Sequence, residues 1–128
     1  MKLNSILIVE DNQEIIEPLR VELIQEGYDV FTAQEADEAF EILEKEEIHL
    51  FFIDLQLPKI NGIELCKEIR KDKPVECIIA MTGYASLYNL IECREAGFDD
   101  YLIKPFDMKL FLKITKDSFE KLSRWKQR

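Results

Sequence analysis

Apolar and polar positions along this chain form short apolar runs separated by longer amphipathic segments. Runs of this length predict strands at residues 5–9, 28–32, 50–53, 77–81 and 100–103. The third run is Leu50-Phe51-Phe52-Ile53, with no polar alternation, and Asp54 follows it at once. Such a run is typical of a strand buried on both faces, as in a parallel sheet.

Between the predicted strands, apolar residues recur at helical spacing. The predicted helices cover about residues 12–26, 35–45, 63–73, 87–97 and 107–125. We expect Pro18 near the first turns of its helix, because proline removes a backbone donor and clashes one turn back. Gly27 is expected to end that helix in the left-handed conformation. Alternating strands and helices predict a flavodoxin-like doubly wound α/β domain, with five parallel strands in the order 2-1-3-4-5 and five helices.

Composition narrows the class of protein. The chain has 128 residues, 47% of them hydrophobic, which fits a single globular domain. Its apolar runs are too short to cross a membrane. Cys66, Cys77 and Cys93 are odd in number and lack C-x-x-C spacing, so we expect reduced thiols in a cytoplasmic protein. The net charge of −9 argues against direct binding of nucleic acid.

The charge is unevenly spread along the chain. Residues 109–128 carry seven Lys/Arg against Asp117 and Glu120, a balance of +5, which leaves −14 for the remainder. We predict one domain over residues 1–128 with a basic helical extension at about 117–128. Phe119, Leu122 and Trp125 continue an apolar stripe that we expect to lie beyond the sheet. The extension is either a frayed end or a contact helix, for a second copy of the chain or for a module joined to it.

Chemically useful side chains follow the predicted strands. Parallel strands place their carboxyl ends at one crevice, where ligands bind in this type of fold. The residues expected there are Glu10, Asp11, Asp54, Thr82 and Lys104. Alone, an acid after a strand is consistent with an ordinary turn. Converging acids, however, need a cation such as Mg²⁺, and a carboxylate, a metal, a lysine and a hydroxyl together suit phosphoryl transfer.

These residues carry a family resemblance. Glu10-Asp11, Asp54 with Leu57-Pro58 and Asn61-Gly62, Thr82-Gly83, Tyr101 and Lys104-Pro105 resemble, in this order, the receiver domain of bacterial two-component response regulators. The resemblance covers essentially the whole chain. Each motif is weak alone, and their agreement in order, spacing and chemistry is what makes the resemblance specific.

The resemblance implies a role for each residue. Asp54 would be the phosphoacceptor, and Glu10, Asp11, Asp54 and the backbone carbonyl of Gln56 would bind Mg²⁺ or Mn²⁺. Thr82 and Lys104 would contact the phosphoryl oxygens, and Pro105 would follow a cis bond. Tyr101 would swing inward when Thr82 moves, although an ordinary strand tyrosine is the alternative. Gln56 and Tyr84 would tune the lifetime of the phosphorylated state.

The implied function is a signalling switch rather than an enzyme, apart from its own phosphorylation and dephosphorylation. A sensor histidine kinase or a phosphotransfer protein would supply the phosphoryl group. The added charge would change the surface of the fourth helix, fifth strand and fifth helix, and so control a downstream partner or output domain that the sequence does not identify. The chain would be a stand-alone regulator or part of a longer regulator or hybrid kinase, with phosphorylation-dependent homodimers as a further expectation.

Two other classes of protein fit these residues less well. A flavin-binding flavodoxin needs a phosphate-binding loop after the first strand, where Glu10 and Asp11 would repel phosphate. A phosphohydrolase with an aspartate nucleophile needs a second acid to protonate the leaving group, and position 56 is glutamine. The lone His49 is interpreted as structural or solvated rather than as a ligand.

Overall fold

The computed structural model describes residues 3–84 and 86–127, without the side chains of residues 87 and 88. The strands are β1 (Ser5–Val9), β2 (Asp29–Ala33), β3 (Leu50–Asp54), β4 (Cys77–Thr82) and β5 (Asp100–Ile103). The helices are α1 (Gln13–Gln25), α2 (Ala36–Lys45), α3 (Gly62–Asp72), α4 (Leu87–Ala96) and α5 (Met108–Lys126). Strands and helices alternate in the predicted order, with ends that differ by a residue or two.

Within the described residues, the strands form one parallel sheet with the order β2-β1-β3-β4-β5. This confirms the predicted flavodoxin-like fold. The central strand β3 pairs with β1 on one side and with β4 on the other, and all of its residues are buried. An apolar run without alternation therefore marks the middle of the sheet, because helices cover both of its faces.

The two faces of the sheet carry separate hydrophobic cores. Phe51 and Ile53 of β3 belong to a first core, which includes residues of α2, α3 and α4. Leu50 and Phe52 belong to a second core, which includes residues of α1 and α5. The alternation of neighbouring strand residues between faces produces this division.

Helix ends follow local sequence signals. The side chains of Asn12, Asn61 and Asp107 accept hydrogen bonds from backbone N–H groups in the first turns of α1, α3 and α5. Gly27 after α1 and Gly97 after α4 have φ angles of 95° and 108°, which an L side chain rarely adopts. Pro18 lies in the second turn of α1.

The carboxyl-terminal half of α5 differs from the expectation. Phe119 and Leu122, expected beyond the sheet, are 7% and 2% exposed and belong to the second core. The ring of Phe119 stacks on that of Tyr28 at a centroid distance of 5.1 Å. The second core thus extends to Tyr28, which directly precedes β2, whereas Trp125 is 62% exposed. Across residues 3–84 and 86–127, every helix is too short or too polar to cross a membrane.

Polar and charged side chains gather at both ends of the strands, which form a carboxyl edge and an amino edge of the sheet. The carboxyl edge is defined by the residues at or after the carboxyl ends of strands: Glu10, Asp11, Asp54, Thr82 and Lys104. The amino edge is defined by the residues near the amino ends of β3, β4 and β5: His49, Arg70, Glu76, Asp99 and Lys126.

Candidate functional site

Asp54 is the last residue of β3 and is 5% exposed. Its Oδ1 atom accepts a hydrogen bond from the backbone N–H of Gln56 at 3.1 Å. The chain then turns, and the Gly62 N–H donates to the Leu55 carbonyl oxygen at 3.0 Å. A Cβ atom at Gly62 would lie 2.3 Å from the Asp54 carbonyl oxygen. Sequence reasoning found the turn at residues 61–62 but missed this close approach, which requires glycine.

Three carboxylates gather at the carboxyl edge. One oxygen from each of Glu10, Asp11 and Asp54 lies within 4.8 Å of the others. Glu10 is 1% exposed, whereas Asp11 is exposed to solvent. The Glu10 Oε2 atom accepts a hydrogen bond from the Asn12 N–H at 3.1 Å, which fixes the side chain beside the start of α1.

The electrostatics of Glu10 show that this cluster requires compensation. Burial raises the pKa of Glu10 above its ordinary value, and the nearby Asp54 carboxylate raises it further. Hydrogen bonds from Lys104 and from the Asn12 N–H act in the opposite direction but do not cancel the effect of burial. A second positive charge placed among these carboxylates would relieve that strain.

Lys104 places the positive charge of its ammonium group at this edge. Its Nζ atom lies 2.5 Å from Glu10 Oε1 and 3.4 Å from Asp54 Oδ2. The lysine therefore pairs more closely with Glu10 than with Asp54. The Lys104–Pro105 peptide bond is cis.

The acidic cluster suits a hard divalent cation. Carboxylate oxygens are the ligands that Mg²⁺ and Mn²⁺ accept, and these ions keep some waters when few protein ligands are offered. Exposed Asp11 leaves one side of the cluster open to water, and buried Glu10 lacks full charge compensation. The residues present therefore fit the metal that the family resemblance implies.

Other predicted site residues lie at the same edge with their side chains turned to their own loop or to solvent. The Thr82 hydroxyl donates to the Tyr84 carbonyl oxygen at 2.7 Å and accepts from the Tyr84 N–H at 3.1 Å. It is thus engaged with its own loop. Tyr101 on β5 is 38% exposed, Tyr84 is 67% exposed, and the Gln56 side chain is also exposed.

His49 lies away from this site, at the amino edge. It is 3% exposed, and its Nδ1 atom lies 2.6 Å from Glu76 Oε2. Lys126 Nζ forms an ion pair with Glu76 Oε1 at 2.8 Å, without hydrogen-bond geometry. His49 is therefore structural, one of the two interpretations offered by the sequence. Its partners escaped notice because they are far away along the chain.

Comparisons with known proteins agree with this geometry. The sequence profile of the response regulator receiver domain matches residues 6–116. The chain is 39% identical over 102 residues to the alkaline phosphatase synthesis transcriptional regulatory protein PhoP of Bacillus subtilis, covering 80% of this chain and 42% of PhoP. It is 36% identical over 110 residues to the response regulator ArlR of Staphylococcus aureus, covering 86% of this chain and 50% of ArlR.

Solved structures show the same similarity in three dimensions. A CheY-like response regulator receiver domain protein from Methanospirillum hungatei has a TM-score of 0.86 and 35% identity, with 96% of this chain and 99% of that one covered. DrrB, a Thermotoga maritima OmpR/PhoB homologue, has a TM-score of 0.86 and 27% identity, with 94% and 54% covered. The chain spans about half the length of the two curated relatives. With a profile match over most of its length, this chain belongs to the family of response regulator receiver domains.

Proposed function

We propose that this receiver domain accepts one phosphoryl group on Asp54 and that the modification switches its surface between two states. The observation that carries the proposal is the arrangement around Asp54, a buried carboxylate 3.4 Å from the Lys104 ammonium group and within 4.8 Å of the other two acids. Asp54 alone among these acids ends the central strand. Membership of the receiver domain family agrees with a phosphorylation-dependent signalling role.

Glu10, Asp11 and Asp54 would hold Mg²⁺ or Mn²⁺, with the backbone carbonyl of Gln56 as a further ligand. When bound, the ion neutralises charge on the phosphoryl oxygens during transfer. The protein's own residues position the Asp54 carboxylate for the transfer. The Gln56 N–H fixes one carboxylate oxygen of Asp54, and burial between β1 and β4 restricts the approach of water.

Lys104 would change partners during the switch. In the structure it forms an ion pair with Glu10, and a new anion on Asp54 would lie within reach of the same ammonium group. A short charge-assisted contact to a phosphoryl oxygen is stronger than a neutral hydrogen bond. Lys104 would therefore move towards residue 54 when the charge appears there, and β5, which precedes it, would move with it.

Thr82 would be the second residue to rearrange when Asp54 is phosphorylated. Its hydroxyl must leave the Tyr84 carbonyl oxygen before it can donate to a phosphoryl oxygen. This exchange would draw the β4–α4 loop towards the site and make room for Tyr101 to turn inward from its half-exposed position. The surface formed by α4, β5 and α5 would change as a result.

Gln56 and Tyr84 would set the lifetime of the phosphorylated state. Both side chains are exposed beside the site, one on each of the loops that follow β3 and β4. Bulky groups at these positions would hinder the approach of water to the phosphoryl group. We infer a phosphorylated state that lasts minutes or longer.

Response regulators of two-component systems interact with sensor histidine kinases. For this chain we propose a histidine kinase or a phosphotransfer protein as the donor, because His49 is buried at the opposite edge of the sheet. The output partner, and any homodimer that depends on phosphorylation, would recognise the α4, β5 and α5 surface. We also propose that residues 1–128 form one receiver domain, with a basic helical extension at about 117–128.

Acetyl phosphate with Mg²⁺ tests the proposal. We expect mass spectrometry to find one added phosphoryl group and peptide mapping to place it on Asp54. Asp54→Asn should abolish the modification, and Asp11→Ala should reduce it severely because a metal ligand is lost. Asp29→Asn, which alters an exposed aspartate at the start of β2, serves as the matched control and should behave like the wild type.

A phosphoryl group on another residue of the wild-type protein would contradict the assignment. Modification that is equally fast after removal of divalent cations by a chelator would contradict the role of the metal. Turnover of an aryl phosphate by the wild type would instead favour a phosphohydrolase.

A further inference from the structure

The two ends of α4 are held very differently. At its carboxyl end, the Gly97 carbonyl oxygen accepts a hydrogen bond from Arg70 Nε at 2.8 Å. The arginine stem is so close that a Cβ atom on Gly97 would lie 2.8 Å from Arg70 Cγ. Cys66 of α3 also donates through Sγ to the Ala96 carbonyl oxygen at 3.5 Å. The last turn of α4 is therefore fixed to α3.

Arg70 connects this helix end to the sheet as well. Its Nη2 atom lies 2.8 Å from Asp99 Oδ2, which also accepts a hydrogen bond from the Ile78 N–H of β4 at 2.9 Å. Its Nη1 atom donates to the carbonyl oxygens of Lys73 and Glu76 before β4. One side chain that is 16% exposed thus ties together α3, the end of α4 and the start of β4.

The amino end of α4 lacks a comparable anchor among the residues that the structure describes there. The side chain of Ser86 accepts from the Asn89 N–H, and the Asn89 side chain donates to the Tyr84 carbonyl oxygen at 3.4 Å. These bonds stay within the β4–α4 loop and the first turn of α4. They give that end local order, but they do not fix it to the sheet.

The packing beside α4 shows the same contrast. A cleft of about 250 Å³ separates the start of α3 from the amino half of α4, and Glu64, Lys67, Asn89 and Glu92 line it. In the carboxyl half, Cys93 and Ala96 are each 5% exposed and belong to the first core. Among the described side chains, α4 therefore borders an open cleft along its amino half and tightly packed neighbours along its carboxyl half.

We propose that Arg70 is a positioning residue of the switch, which holds the carboxyl end of α4 as a fixed pivot so that the helix rotates when the β4–α4 loop moves. The inference rests on the proposed function, which supplies the movement of Thr82 and of this loop. Arg70 itself belongs to the amino edge and takes no part in phosphorylation.

A pivot at Gly97 predicts how displacement is graded along α4. At about 1.5 Å per residue, Ser86 lies about 16 Å from Gly97 and Cys93 about 6 Å from it. A displacement at Ser86 would be reduced to about two fifths at Cys93. The amino half of α4 would change its position strongly, while the buried face around Cys93 would stay covered.

The native thiols provide the test. Cys93 on α4 and Cys77 on β4 are 5% and 4% exposed. Timed reaction with N-ethylmaleimide, followed by peptide mass mapping, gives the modification rate of each cysteine with and without beryllofluoride and Mg²⁺. In the wild type, Cys93 should react slowly in both states. In Arg70→Gln, beryllofluoride should accelerate the reaction of Cys93 about tenfold and leave Cys77 slow.

Arg94→Gln is the matched control, because Arg94 is an exposed arginine in the last turn of the same helix, and it should behave like the wild type. Fluorine NMR of bound beryllofluoride, recorded on the same samples, separates the two proposals. Failure of the wild type to bind beryllofluoride would defeat the proposed function. Binding by wild type and variant, without a state-dependent change at Cys93 in Arg70→Gln, would defeat the pivot.

Equal acceleration in both states would also overturn the pivot, because it would show that Arg70 only supports the fold. If Arg70→Gln exposes Cys77 as fast as Cys93, the variant is loosened throughout. In that case the Asp99→Asn variant tests the pivot, again through the beryllofluoride-dependent reaction rate of Cys93. This substitution removes the charge that pairs with Arg70 but keeps an acceptor for the Ile78 N–H. Its effect on Cys93 should have the same direction and a smaller size.

Discussion

The two edges of the sheet use buried charge in opposite ways. At the amino edge, Glu76 has a hydrogen-bond partner in His49 and an ion-pair partner in Lys126, and Arg70 is paired with Asp99 and several backbone carbonyls. At the carboxyl edge, three acids share one lysine, and burial raises the pKa of Glu10. Among the described residues, the buried acid and the arginine of the amino edge each have a partner of opposite charge, whereas the carboxyl edge is left able to accept further positive charge and a new anion.

This difference in charge pairing assigns the two edges different roles, folding stability at the amino edge and ligand binding at the carboxyl edge. A buried ion pair whose charges are matched contributes little net energy, but losing one partner is strongly destabilising. Acids that repel one another make the folded state sensitive to whatever binds among them. We therefore expect substitutions at the amino edge to change the free energy of unfolding, and ligands to act mainly at the carboxyl edge.

The largest expected effect is at the amino edge. Glu76→Ala should lower the free energy of unfolding by about 3 kcal/mol, because it leaves buried His49 without its hydrogen-bond partner and Lys126 without its counter-ion. Urea unfolding monitored by circular dichroism measures the change. Glu68→Ala removes an exposed carboxylate paired with Lys71 and should have no measurable effect. Equal loss in both variants would show that the amino edge is not special.

A steric change at the carboxyl edge should have a smaller effect on stability and a clear effect on function. Gly62→Ala places a methyl group against the Asp54 carbonyl oxygen, so we expect a loss of about 2 kcal/mol and slower phosphorylation by acetyl phosphate. Gly83→Ala is the control for stability, since a Cβ atom there would have open space among the described residues. A Gly62→Ala variant with wild-type stability and a wild-type rate of phosphorylation would contradict the close contact between Gly62 and the Asp54 carbonyl oxygen.

Mg²⁺ should produce the smallest of these changes, and only through the carboxyl edge. Free Mg²⁺ at about ten times its dissociation constant should stabilise the wild type by about 1.4 kcal/mol, as measured by thermal unfolding. Asp11→Ala should remove this gain. Glu76→Ala should show the same gain, although its free energy of unfolding without Mg²⁺ is lower than that of the wild type. Stabilisation that survives in Asp11→Ala would place the ion elsewhere.

The magnesium effect should depend on pH in a defined direction. Because the pKa of Glu10 is raised in the folded protein, its charged form opposes folding at neutral pH, and this opposition weakens as the pH falls through the raised pKa. Mg²⁺ requires the charged form. Its stabilising effect should therefore decline at a higher pH than the ordinary carboxyl value of 4.5 would give.

Much of the carboxyl edge could be predicted from the sequence, because its residues directly follow strands that are visible as apolar runs. Asp54 and Lys104 needed only the strand ends and the parallel topology to be brought together. The position of the Thr82 hydroxyl could not be predicted, since a side-chain rotation decides whether it faces the loop or the site.

The amino edge was largely hidden in the sequence. Arg70 sits among other charged residues of α3 and looks like part of a solvated face, and Glu76 looks like an ordinary loop acid. Their importance depends on contacts with residues far along the chain, such as Asp99 and Lys126. The buried half of α5 was missed for a related reason, since the second core extends onto Tyr28 after α1.

The register of β3 has a consequence for insertions and deletions. Successive residues of this strand face opposite cores. The face of the sheet on which the Asp54 side chain lies is therefore set by its position along the strand. Removing one residue between Leu50 and Ile53 would rotate the acid to the opposite face, although every side chain at the carboxyl edge would remain in the sequence. Length variation in homologous chains should therefore be confined to the loops, while the number of residues between the start of β3 and its terminal acid stays constant.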